Sequence, residues 1–321
     1  MTVAGRQMTR LGVARLSVSV VLLVVLARWL EVGEIADRLT RMQSSWLSVA
    51  LVLSVVQVAL SAWRWRFTAG RLGIELPFSM AVREYYLAMF LNQVIPGGVV
   101  GDVSRAWRHA RVQSTLRSAS GPAVHAVIIE RASGQVVMAT VAILSVVSLP
   151  LGLGLTWGWT ALAVGAVVSG CWFWIHDVSE ASLVGRFWRD ARLALFEGLA
   201  LPLQFASSVL VVATYLLTYL IAARAIGVET PLVVLAPLVA PVLLTMLIPV
   251  TVAGWGVREG AAAVLWGVVG LTSVDGVAIS VAYGLLVLLS TVPGGVILIF
   301  GVGVSRGSRV VGGSWVKGRR S

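Results

Sequence analysis

The sequence predicts an all-α, polytopic membrane helix bundle with two broken or re-entrant helix pairs in an inverted-repeat-like arrangement. Three observations predict it. The 321 residues are 58% hydrophobic and only 12% charged, against roughly 25% charged in a soluble domain. Apolar runs of membrane-spanning length recur along the chain. Two of those runs are interrupted by the same device. One reads Ile95-Pro96-Gly97-Gly98-Val99-Val100-Gly101 and the other Ile248-Pro249-Val250-Thr251-Val252-Ala253-Gly254. Each copy then places an acidic residue and an arginine just beyond: Asp102 and Arg105 in the first, Arg258 and Glu259 in the second. Proline removes a backbone donor, and glycine frees φ and ψ. In hydrocarbon such a break survives only where it is buried in protein or lines a watery cavity. Broken helices in corresponding halves of a transporter point to a midplane binding site.

The whole chain, 1–321, reads as one integral membrane domain. A first half covers 11–150 with its break at 95–102, and a second half covers 156–304 with its break at 248–259. A basic tail, 305–321, follows. Leu11 to Leu30 is the first span, preceded by Arg6, Arg10 and Arg15. It resembles a signal peptide but lacks an Ala-x-Ala cleavage site, so an uncleaved helix is expected. Glu31, Glu34 and Asp37 fall in the next loop. Trp46 to Trp63 is the second span, with tryptophans suited to the interface and Arg64, Arg66 and Arg71 in the loop after it. Excess arginine marks the cytoplasmic side. The N-terminus and Arg64 to Arg71 are therefore expected on the cytoplasmic side of the cell membrane, and the acidic loop outside.

Tyr85 to Ile95 is too short to cross alone. A full crossing would put Arg105, Arg108, Arg111 and Arg117 outside. A hairpin turning at Pro96-Gly97-Gly98 keeps them inside, so the charges favour a re-entrant pair. Val124 to Pro150 spans outward, Trp157 to Ile175 returns, and the polar stretch His176 to Glu197 suits an amphipathic surface helix or a solvated connector. Leu201 to Ala223 is the next span. Leu232 to Val250 and Gly260 to Val274 flank the second break, and Val277 to Val304 is the last span. The charges place the tail, with Arg306, Arg309, Lys317, Arg319 and Arg320, on the cytoplasmic side when the second pair re-enters from outside.

The net charge is +11. In a soluble chain that would suggest nucleic acid. Here the arginines lie between apolar runs, where they set topology and meet anionic lipid, so no nucleic-acid partner is expected. Cys171 is the only cysteine, which leaves no intrachain disulfide. His109, His125 and His176 lack metal-ligand spacing. No Walker-type loop and no nucleophile–His–acid set is legible, so neither metal nor cofactor is expected.

The residues able to carry chemistry cluster at the breaks. Asp102 and Arg105 stand three apart on a helix and can touch, as a charge pair at the membrane edge or as polar lining. Asn92 lies one turn before Pro96, where it can satisfy a freed carbonyl or bind a head group. Glu130-Arg131 and Arg258-Glu259 are charge pairs inside apolar sequence, and an unpaired charge at that depth costs ~2.5–3.5 kcal/mol or more. Adjacent helical residues point about 100° apart, so each is expected to pair elsewhere, Glu130 with Arg258 or Arg131 with Glu259. The breaks themselves are Pro96, Gly97, Gly98 and Gly101, then Pro249, Gly254 and Gly256. Gly152-Leu153-Gly154 reads as a loop. Pro293-Gly294-Gly295, inside the last span, is read as allowing a kink or close helix packing.

These motifs resemble the integral membrane family that includes the lysylphosphatidylglycerol synthase transmembrane region, often called flippase-like. The resemblance rests on Asn92-x-x-x-Pro96-Gly97-Gly98-x-x-Gly101-Asp102-x-x-Arg105, on Glu130-Arg131, and on Pro249-x-x-x-x-Gly254-x-Gly256-x-Arg258-Glu259. Arg64-Trp65 also fits. Val100-Gly101 stands where the family pattern has two glycines. Bifunctional members carry a soluble aminoacyltransferase domain, and after Val304 only a short basic tail is seen here. The resemblance therefore implies the lipid-handling half, and relatives are implicated in moving amino-acylated or glycosylated lipids. The expected function is translocation of a phospholipid or glycolipid head group, with Asn92, Asp102, Arg105, Glu130, Arg131, Arg258 and Glu259 as substrate-binding residues. The arginines suit phosphate by charge and fork geometry. Two alternatives stand beside it. One is a membrane-embedded glycosyl- or acyl-transferase using Asp102, Glu130 or Glu259. The other is a non-catalytic partner of a separate lipid-modifying enzyme.

Overall fold

The computed structural model describes residues 3–30, 32–96, 98–115, 120–149, 182–248 and 250–304. Those residues are helices joined by short turns, with no strand among them. In chain order they are α1 (Val3–Trp29), α2 (Val32–Thr40), α3 (Ser44–Arg71), α4 (Phe78–Val94), α5 (Val100–Thr115) and α6 (Ser120–Ser148). Then come α7 (Leu183–Leu195), α8 (Ala200–Ala225), α9 (Leu232–Leu244), α10 (Val257–Val268), α11 (Ser273–Ser290) and α12 (Val292–Val304). Five stretches are long and apolar enough to cross a membrane: Gly12–Trp29, Ser44–Arg71, Gly121–Ser148, Ala200–Ala225 and Ser273–Phe300. The expected span Trp157 to Ile175, the Gly152-Leu153-Gly154 loop and the tail from residue 305 lie outside the described residues.

Burial follows the helical period. On α3 the buried positions include Ala50, Ser54, Val58, Ser61, Ala62, Trp65 and Ala69, a stripe three and four residues apart. It packs on α8, whose buried face carries Gln204, Ser207, Ser208, Val211 and Thr218. Alanines, serines and threonines let the two backbones approach, as helix packing in lipid requires. The opposite faces carry exposed Val52 and Val55 on α3 and Phe205 and Leu210 on α8, side chains suited to acyl chains.

The helix α3 corrects the expected second boundary. It does not stop at Trp63 but continues to Arg71, and Arg64 is buried within it rather than in a loop. A single arginine does not end a helix when its charge has a partner inside the bundle. The expected apolar run Gly260 to Val274, which flanks the second break, is corrected in its bounds. The helix there is α10, which ends at Val268 and is about 18 Å long at 1.5 Å per residue, too short to cross alone. The last span begins earlier than expected, at Ser273, and is interrupted at Thr291. There the second Pro-Gly-Gly motif brings α12 against α4. A Cβ on Gly294 would lie 2.1 Å from the Tyr86 carbonyl oxygen, so glycine is what permits the contact.

Two helical hairpins occupy the centre. In the first, α4 and α5 fold back on each other: a Cβ on Gly101 would lie 1.9 Å from the Ala88 carbonyl oxygen, and Arg108 Nε reaches Glu84 at 2.6 Å. Its open end faces α7 and the end of α3, which are tied together by Arg71 donating to the Leu193 and Glu197 carbonyls. In the second, α9 passes through a short 3-10 turn, Thr245–Leu247, and α10 returns. Its open end faces the opposite end of the bundle. There the Gln43 amide donates to the Ala225 carbonyl, and Arg38 of α2 pairs with Asp275 at the start of α11. α1 lies across both tips, with Gly12 against Pro96 and the Ser19 hydroxyl accepting from the Val252 amide. α7 falls within the stretch expected as a surface helix, and Ser182 caps it by accepting from the Gly185 amide at 2.9 Å.

Candidate functional site

The first hairpin places five charged side chains in one network. Glu130 of α6 is fully buried. Its Oε1 accepts from Arg64 Nε at 3.1 Å and Tyr85 Oη at 2.9 Å, and Arg64 Nη2 also reaches it. Its Oε2 accepts from Arg105 Nη2 at 3.1 Å. Asp102 accepts from the same Arg105 nitrogen at 3.0 Å and from Arg131 Nη2 at 2.5 Å. Three guanidiniums against two carboxylates leave one net positive charge. That charge sits where solvent is scarce and a partner anion is worth most.

The local sequence explains the assembly. Asn92 sits in the last turn of α4, and its side-chain oxygen accepts from the Gly101 amide at 2.7 Å while its nitrogen donates to Asp102 at 3.0 Å. It therefore clamps the start of α5 rather than rescuing a carbonyl freed by Pro96. Asp102 stands in the first turn of α5, where helix amides favour a carboxylate. Arg105 is wholly buried, with its guanidinium 4.5 Å from the Trp65 ring centroid and 4.4 Å from that of Tyr85. Its Nε and Nη1 have no hydrogen-bond acceptor, and the two rings supply the compensating cation–π contact. Gly134 keeps α6 open for Arg64, since a Cβ there would lie 3.0 Å from its Nη2.

The second break is built differently. Arg258 Nη2 lies 2.6 Å from Glu259 Oε1, and Ser280 Oγ accepts from Arg258 Nε at 2.9 Å and donates to the same carboxylate oxygen at 3.1 Å. Glu259 Oε2 accepts from the Gly256 amide at 2.6 Å. The expectation that these neighbours cannot pair is overturned. The carboxylate turns back to cap the start of α10, and the arginine is long enough to curl round and follow it. The expected cross-pairs are not formed either, because Arg64 and Arg105 already occupy Glu130 and Asp102 holds Arg131. Gly256 takes φ +91°, and a Cβ there would lie 2.7 Å from Leu22 Cβ, so backbone conformation and the close approach of α1 both require glycine.

Two cavities adjoin the first network. The larger, of about 960 Å³, is bounded by α5, α6 and the second break, including Gly98, Asp102, Arg131, Leu247, Thr251 and Gly254. Its wall is mostly apolar, with Val103, Trp107, Val127 and Ile128 along it. The smaller, of about 200 Å³, lies further in and is bounded by Arg64, Tyr85, Asn92, Tyr215 and Tyr283 among others. Gly98, Arg131, Gln135, Met246 and Leu247 border both, so the tips of the two hairpins face the same space. Arg131 spends one nitrogen on Asp102, and its side chain is 32% exposed. Arg258 and Glu259 border neither cavity, and Arg105 and Glu130 stand behind the wall. Pro96 lies at the tip of the first hairpin. Gly97 and Pro249 lie outside the described residues.

Three participants escaped the reading of the sequence as site residues. Arg64 looked like a topology charge, although the unbroken helical pattern through Trp65 was a signal. Tyr85 looked like an apolar-run residue. His125, which borders the larger cavity, pairs with Asp190 of α7 at 2.7 Å, a contact between residues 65 apart that no local pattern foretells. Among the described residues no group of three His, Cys, Asp or Glu side chains could hold a metal ion.

Apolar helices of spanning length surrounding a buried, hydrogen-bonded charge network define a multi-pass membrane protein with an internal polar site. The chain belongs to the lysylphosphatidylglycerol synthase TM region family, whose model matches residues 12–295. A search of curated proteins returned no match. Membership ties the chain to a membrane lipid-related function.

Proposed function

We propose that the protein is a lipid translocator of flippase type in the cell membrane. Both hairpins are taken as re-entrant, entering from opposite faces. A head group enters the space between the hairpin tips and meets Arg131, while its acyl chains stay along the apolar part of the larger cavity. The observation that carries this reading is that cavity, whose mostly apolar wall includes Asp102, Arg131 and residues of both breaks. A site of this form suits an amphipath, with a few polar groups fixing its orientation. The transferase alternative finds less support. Asp102, Glu130 and Glu259 are all held by guanidiniums, which leaves none of them free as a general base. Any lipid-modifying enzyme would then be a separate partner.

The test is reconstitution into liposomes with a fluorescent lipid and an impermeant quencher. Wild type is expected to move the head group without changing it chemically. A new lipid product would favour the transferase, and neither movement nor product would sink both readings. The termini and the stretch Arg105 to Arg117 are assigned to the cytoplasmic side. Cysteines placed at Ser118 and Ser314 in a Cys171→Ser background should stay unlabelled by an impermeant thiol reagent in intact cells. Labelling of either overturns the orientation.

A further inference from the structure

The inner chamber has a chemistry of its own. Among the described residues, Ser61, Gln93, Gln135, Tyr215 and Tyr283 border it, and their side chains make no hydrogen bond to protein. All five are neutral, and each can both donate and accept. The charged groups beside them are Arg64 and Arg131. The carboxylates of the network stand behind these side chains and are taken up by them. Glu130 is saturated by Arg64, Arg105 and Tyr85, and Asp102 is held by Arg105, Arg131 and Asn92. Neither carboxylate borders the chamber. The space therefore offers neutral hydrogen bonds, two guanidiniums, and no carboxylate for a cation.

We infer that the site takes a phosphodiester lipid whose head group ends in a neutral polyol, and rejects one carrying an amino-acyl ammonium. The phosphate meets Arg131, the arginine that borders both cavities. The hydroxyls of a glycerol, an inositol or another sugar reach inward to Tyr215, Tyr283, Gln135, Gln93 and Ser61. The same geometry turns an aminoacyl ester away. Its ammonium would enter a chamber whose nearest charges are Arg64 and Arg131, within a network already one charge positive, and like charges in a desolvated site repel strongly. The inference rests on the proposed lipid-binding reading and narrows it. A phosphatidylglycerol-like lipid and a phosphate-linked glycolipid share this chemistry.

Binding separates this inference from translocation. The purified chain in detergent is titrated with phosphatidylglycerol, phosphatidylinositol, phosphatidylethanolamine and lysyl-phosphatidylglycerol, and bound lipid is counted by native mass spectrometry. Phosphatidylglycerol, phosphatidylinositol or both should bind about tenfold or more tightly than lysyl-phosphatidylglycerol. Preference between the first two tells the glycerol source from the sugar source. Gln135→Glu places a carboxylate in the wall shared by the cavities and should shrink the discrimination against the lysyl lipid by about tenfold. Its melting temperature reports whether it stays folded, and Tyr215→Phe with Tyr283→Phe gives a milder check, expected to weaken polyol lipids alone. Lysyl-phosphatidylglycerol binding as tightly as phosphatidylglycerol overturns the inference. So does phosphatidylethanolamine binding as tightly as both polyol lipids, or a folded Gln135→Glu variant with unchanged discrimination. A protein that discriminates in this way yet moves no lipid in liposomes sinks the translocator reading and leaves the binding assignment in place.

Discussion

The two broken hairpins carry similar letters and do different work. At the first, three arginines and two carboxylates from α3, α5 and α6 form an open network with one surplus positive charge, and Arg131 meets the cavities. At the second, Arg258 and Glu259 close on each other and on Ser280, the charge cancels, and neither residue reaches a cavity. In the proposed translocator the first is the one that receives the ligand. The second holds its own helix start in place and contributes backbone and apolar groups, such as Leu247 and Gly254, to the wall. A charge inside apolar sequence is therefore not evidence of a binding role until its partners are counted.

The comparison breaks most visibly at Glu130. Glu130→Gln leaves Arg64 buried without a counter-charge and Arg105 with Asp102 alone, and removal of one partner from a buried pair costs about 3–5 kcal/mol. Folded protein should be largely lost, read as monodisperse yield and melting temperature in detergent. A variant that folds like wild type would show that the network is not what holds α3, α5 and α6 together.

The next effect separates the two arginines. Arg258→Gln strips Glu259 of its cation, so yield and transport should fall together. Arg131→Gln should keep most of its yield, because Asp102 retains Arg105 and Asn92, and should lose about tenfold in transport from the missing charge-assisted contact. Transport per folded molecule is the quantity to compare. The reverse pattern, with Arg258→Gln well folded and inactive, would move the binding role to the second break. The smallest effect is expected at Ser280→Ala, which removes one hydroxyl from the closed pair. About 1–3 kcal/mol of stability should be lost, with transport per folded molecule unchanged.

Much of the fold was legible in the chain. Hydropathy marked the spans around α1, α3, α6, α8 and α11, because a helix in lipid must present apolar side chains over its whole length. The Pro-Gly interruptions marked both hairpin tips, since proline and glycine act on the backbone of their own residues. The boundaries were less legible. The end of α3 was misplaced because Arg64 looks like a loop residue until Glu130, 66 positions away, accounts for its burial. The short length of α10 was hidden because Gly260 to Leu271 carries no polar side chain, and hydropathy does not record where a helix turns.

By itself, the sequence determined the helical class, the passage through a membrane, the two breaks and the family. All of these rest on composition or on neighbours a few residues apart. Tertiary structure decided which charges meet. Glu130 lies between Arg64 and Arg105 because α3 and α5 both pack on α6, and Arg131 turns to Asp102 because the first hairpin brings the start of α5 beside it. Arg258 folds onto its own neighbour because Ser280 of α11 and the start of α10 leave it no nearer acceptor. A buried charge takes whatever partner the packing puts within about 3 Å, and packing is set by whole helix faces rather than by local letters.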